Sequence, residues 1–180
     1  PPGPRHGAGR AGGGRGAPAG GAVRQPAHAL RPRTAPLAPF GLPADLVLLD
    51  HVLGQLDHGH AADRDLDAQV YEALGWEVQR TPITRRRISW RVRSPLATAW
   101  QALPAPTADQ ADAVSTVPHG WDWRVGTRDG QPMGWVQERR IRPGAALPAF
   151  FETSRLTPAR ALLAAALFAH RFIARGGAYG

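Results

Sequence analysis

Apolar positions along the chain switch between two periods, and each switch marks an element. Leu46, Leu49, Val52, Leu53 and Leu56 recur every three or four residues, which predicts an amphipathic helix over 44–57, with Pro43 at an early helical position and Asp45 in the first turn. Gly59 stops it. A second helix should start at Asp63 or Asp65, whose carboxylates can take free backbone N–H groups, and it carries Leu66, Val70 and Leu74 at four-residue spacing. Gly75 then ends it, with Trp76 placed to fold back on the last turn as in a Schellman motif. Over 88–92 the period drops to two. Ile88, Trp90 and Val92 take one face and Ser89, Arg91 and Arg93 the other, which predicts a half-buried strand. Thr107 with Gln110 makes a capping-box pattern ahead of a short helix through Ala111, Val114 and Val117, stopped by Pro118 and Gly120. Trp121, Trp123 and Val125 alternate with Asp122 and Arg124, Asp129-Gly130 supplies a turn, and residues 133–138 return, so a hairpin is expected. Thr157-Pro158 opens the last helix as N-cap and N1, and Gly176-Gly177 closes it.

The resulting order is helix, helix, strand, helix, hairpin, helix. Such an order excludes a doubly wound sheet and predicts an α+β domain over 44–180, with a small antiparallel sheet, one strand plus a hairpin, packed against helices. All six tryptophans lie between Trp76 and Trp135, which places much of the aromatic core on the sheet and its flanking turns.

Composition changes the picture at residue 43. Residues 1–43 hold 10 Gly, 9 Pro, 9 Ala and 6 Arg with no acidic residue, so this stretch reads as a disordered tail with little to bury. The formal charge of +8 is therefore misleading about the domain, where 16 arginines meet 14 acidic groups. Lys and Asn are absent while Gly, Ala, Pro and Arg abound, as codon usage in a GC-rich genome would produce. The only methionine is Met133, which suggests a fragment or a reading frame extended upstream of its true start. Cysteine is absent, which excludes disulfides, thiolate nucleophiles and Cys-based zinc sites. The longest apolar stretch, 161–169, falls short of the ~20 residues a membrane span needs, and no signal peptide is visible, so a cytoplasmic location is expected.

Three segments together carry a resemblance. They are Asp63-Arg64-Asp65-Leu66-Asp67 leading to Ala73-Leu74-Gly75-Trp76, Thr107-Ala108-Asp109-Gln110-Ala111-Asp112-Ala113 leading to Val117-Pro118-His119-Gly120-Trp121, and Thr157-Pro158-Ala159-Arg160-Ala161-Leu162. In this order and spacing the chain resembles the phage ABA sandwich domain family over residues 44–175. The resemblance implies a small protein of phage or prophage origin in a bacterial host. It implies no particular reaction or ligand.

Candidate chemistry is sparse. His51, His58 and His60, with Asp57 and Asp63 nearby, are the residue types that hold zinc, and a metal-dependent hydrolase could be built on them. Their spacing is poor for it: His51 and His58 stand two turns apart near a helix end, and His60 follows a glycine. Gly7, Gly9 and Gly12 satisfy a dinucleotide-type pattern with neither a strand before nor a helix after it, and phosphate binding of the Walker type lacks its lysine. Ser89, Ser94, Ser115 and Ser154 have no evident base beside them. The remaining lead is Arg85, Arg86, Arg87, Arg91 and Arg93, five arginines in nine residues without an acid. Alternation places Arg87, Arg91 and Arg93 on the strand face opposite Trp90, with no aromatic residue of the strand beside them. That face could bind phosphates, or it could be charge that guards a sheet edge. The sequence thus points first to a non-enzymatic accessory or binding protein without cofactor or metal, its partner unidentified but expected to be a protein. A nucleic-acid-binding protein using 85–93 is the second reading.

Overall fold

A computed structural model describes residues 44–58, 62–141 and 147–177. Among them the chain runs α1 (Leu46–Gln55), α2 (Arg64–Ala73), β1 (Glu77–Thr84), β2 (Arg87–Arg93), β3 (Gln101–Ala102), α3 (Gln110–Val114), β4 (Trp121–Arg128), β5 (Gln131–Glu138), β6 (Phe150–Ser154) and α4 (Pro158–Ala174). The fold is α+β, with two antiparallel three-stranded sheets in the orders β1-β2-β3 and β4-β5-β6. The expected tail, 1–43, lies outside the described residues.

Local chemistry fixes the helix ends. Asp45 is the N-cap of α1, not a residue of its first turn, because its carboxylate accepts from the N–H groups of Val47 and Leu48. Asp63 caps α2 through Leu66 N–H at 3.0 Å. At the other end Gly75 has φ +80°, its N–H donates to Glu72 O, and Trp76 N–H donates to Tyr71 O. The Schellman motif is complete, and its hydrophobic contact is the Tyr71–Trp76 ring pair at 5.3 Å. Thr157 caps α4 with Pro158 in the first turn.

One expectation fails at α3. Its N-cap is Asp109, which accepts from Ala111 and Asp112 N–H, whereas Thr107 is buried and belongs to a different contact. Thr107 donates both its N–H and its hydroxyl to Asp67, at 3.0 and 2.7 Å. Desolvating a carboxylate is costly unless donors satisfy it, so a fully buried Asp67 captures the nearest pair.

Helix α4 is the centre of the molecule. Every residue from Ala161 to Leu167 has zero exposure, so no face of this segment reaches water. The inner face of the β4-β5-β6 sheet covers one side, where Trp121 stacks on Phe151 and Phe172 of α4 meets both rings edge-on, with centroids 5.5–6.4 Å apart. Helices α1 and α3 cover other sides. Contact with the sheet is closest at Gly134, where a Cβ would lie 2.3 Å from Leu162 N and 2.4 Å from Ala161 C. Beside it, Thr153 donates its hydroxyl to Ala161 O at 2.6 Å. The buried guanidinium of Arg160 donates to His58 O, and Arg155 and Arg171 pair with Asp57 and Asp50, tying α1 to the α4 side.

Replacing Gly134 with Ala should cost about 3 kcal/mol, because the new methyl meets backbone that cannot step aside. Gly126→Ala, where nothing lies within 4 Å, should cost less than about 1 kcal/mol. Chemical denaturation of both variants checks this; equal losses would show that the helix is free to move off the strand. A pH effect is expected from His170. Its Nε2 lies 2.8 Å from Thr116 O, which can only accept, so the ring donates there. Burial pushes its pKa down to about 4. The unfolded chain therefore takes the proton first, and stability present above the ordinary histidine pKa falls as pH drops towards 4, by about 1–3 kcal/mol given the ring's partial exposure. Unfolding free energies at pH 7 and pH 4 should differ less in His170→Gln than in the parent; an equal pH dependence would assign the effect elsewhere.

Candidate nucleic-acid interface

The strand expected over 88–92 is the middle strand of a three-stranded sheet rather than a lone one. Residue 77 pairs with 93, 78 with 92 and 80 with 90, so β1 and β2 form a hairpin. Only its root is in the core: Val92 is fully buried, Trp90 half-buried, and Ile88 is 37% exposed. On β1, Val78 is half-buried and every residue from Gln79 to Thr84 is exposed. The hairpin is an arm that leaves the body.

The root is held by α2. Arg64 donates to Leu103 O and Pro104 O at 2.6 and 2.8 Å and to the Asp67 carboxylate, and Asp67 takes Thr107. The segment following β3 is thus fixed to α2, and β3 fixes β2 through the pairs Arg91–Ala102 and Val92–Gln101. Leu103 and Val92 complete the anchor in the core.

Register confirms the shared face of the expected arginines. Arg87 stands opposite Thr84, Ser89 opposite Thr81, Arg91 opposite Gln79 and Arg93 opposite Glu77, all on the face away from Trp90. Arg85 and Arg86 form the two-residue turn. Two-residue turns usually take positive φ, which neither arginine does; the strand instead inserts Ile83 as a bulge between Pro82 and Thr84. Pro82, lacking an N–H, sits on β1, an edge strand that tolerates it.

The five arginines are not equivalent. Arg93 is neutralised by an ion pair with Glu77 and lies over the ring of Trp100, 4.8 Å from its centroid. An aromatic ring therefore does reach the arginine face, from the residue just ahead of β3. Arg85, Arg86, Arg87 and Arg91 have exposed side chains, and no ion pair is formed by them among the described residues. A sixth arginine escaped the sequence reading because it precedes the run. Arg80 lies opposite Trp90 and covers its ring at 5.1 Å.

The histidine set does not assemble. His51 accepts a hydrogen bond from Gln55 at 2.6 Å, Asp57 is paired with Arg155 at 2.9 Å, Asp63 caps α2, and His58 offers its carbonyl to Arg160. His60 lies outside the described residues. No group of three His, Cys, Asp or Glu side chains among the described residues is placed to hold a metal ion. A hollow of about 500 Å³ is lined by residues that include His119, Trp121, Arg139 and Ile173. No described helix is long and apolar enough to cross a membrane.

Comparison of the chain with known protein families, curated proteins and solved structures finds no match.

Proposed function

We propose that the chain is a non-enzymatic nucleic-acid-binding accessory protein whose binding element is the β1–β2 arm. The observation that carries this reading is the separation of charge. Within 44–180 there are 16 arginines and 14 acidic residues, and the segment 77–93 holds six arginines against Glu77 alone. The rest of the domain therefore keeps ten arginines against thirteen acidic groups, so all of the positive excess sits on the arm. Phosphate binding needs such an accessible cluster, and a net acidic body keeps other surfaces off the polyanion. Guarding a sheet edge needs charge along the strands, whereas Arg85 and Arg86 occupy the turn. The resemblance to the phage ABA sandwich family supports an origin in a phage or prophage, with work in the cytoplasm of a bacterial host.

Binding of the full chain to a labelled oligonucleotide, followed by anisotropy over a range of salt, tests the proposal. Replacing Arg85, Arg86, Arg87 and Arg91 with Gln should weaken binding and reduce the slope of log K against log salt by roughly 3, close to one per lost phosphate contact. Circular dichroism should be unchanged, because all four side chains are exposed. The six arginines of 1–43 are common to both proteins and cancel. An unchanged affinity and slope would contradict the proposal.

A further inference from the structure

The nucleic-acid reading above, on which this step rests, leaves open the form of the ligand, and the arm's tip narrows it. We infer that the arm enters the minor groove of duplex DNA and bends it by inserting Ile83 between base pairs. Three observations converge.

A single strand is gripped by stacking its bases on free aromatic faces. On the arm and at its root each ring instead carries an arginine over one face, Arg80 on Trp90 at 5.1 Å and Arg93 on Trp100 at 4.8 Å. Beside its arginines the distal arm exposes aliphatic side chains. Ile83 is 57% exposed, Ile88 is 37% exposed, and Pro82, the cross-strand partner of Ile88, is also open to solvent. These side chains lie beyond the core, so the fold gains little from their being apolar. Ile83 is also the bulged residue, without a cross-strand partner, so its side chain is not held in the pleat.

Apolar wedges flanked by arginines are the means by which minor-groove proteins unstack a base step. Arginine favours that groove for its negative potential, and kinking at the wedge opens it. A two-stranded ribbon would otherwise be too wide for a groove of about 6 Å. Reach is sufficient: the five residues 80–84 extend roughly 16 Å at about 3.3 Å each, against a groove depth of about 7.5 Å. The acidic body can then stay outside the duplex while the tip reaches the base edges.

The test uses the full chain and a 25-base-pair DNA duplex with a fluorophore at each end. Saturating protein should raise end-to-end energy transfer, corresponding to a bend of about 20–90°, and distamycin, which fills the minor groove, should displace the protein. Ile83→Ala should abolish the rise in transfer while weakening binding less than about tenfold, since the arginine contacts remain. Duplex binding without bending, bending retained by Ile83→Ala, indifference to distamycin, or a preference for single-stranded DNA or duplex RNA would each overturn this inference and leave the arm's binding intact. Failure to bind any of these nucleic acids would instead remove the reading on which it rests.

Discussion

The backbone of α4 lies directly on β5 at Gly134, where a single methyl group would lie within 2.5 Å of Ala161 and Leu162 main-chain atoms. At that separation the helix has no freedom to slide or roll. The aromatic layer of Trp121, Phe151 and Phe172 and the Thr153–Ala161 hydrogen bond can hold one geometry only because the helix is seated there. A helix buried on all sides over 161–167 also offers nothing to a partner. Chemistry and recognition are left to the periphery, and the first sheet lies outside this central stack.

How that sheet is attached decides what it can do. Its root rests on α2 through Val78, Val92 and Leu103, and the buried Asp67 clamps the following segment by its two bonds to Thr107 and one to Arg64. Burial pushes the Asp67 pKa up, against the donors from Thr107 and Arg64, which favour the charged form. A fixed root with an exposed distal half gives a semi-rigid lever. Its arginines are preorganised in direction by the strand pairing, which lowers the entropy lost on binding.

Helix positions were legible in the sequence because several local signals agreed at each end. Asp63, Gly75-Trp76 and Thr157-Pro158 are caps whose geometry needs no distant partner. Legibility stopped where the determinant was distant or absent. Thr107 looked like a cap, and only the fold brings Asp67 to it across forty residues. Strand β1 has no alternation to read, since an arm in solvent buries neither face. Strand β6 is five residues with one buried position. At the candidate site, the cluster 85–93 and its shared face followed from alternation. That it forms the tip of a projecting hairpin did not, nor did the roles of Arg80 and Trp100, which depend on cross-strand register.

On the proposed function, binding belongs to the arm and stability to the seated helix, two parts that work independently. Hydrogen exchange of the full chain with and without a DNA duplex tests this directly. Amides over residues 79–91 should exchange more slowly when DNA is present, and those of 161–172 should exchange equally slowly in both states, because the helix is fixed by Gly134 regardless of ligand. Unchanged exchange in the arm, with protection appearing on any other segment, would contradict the account.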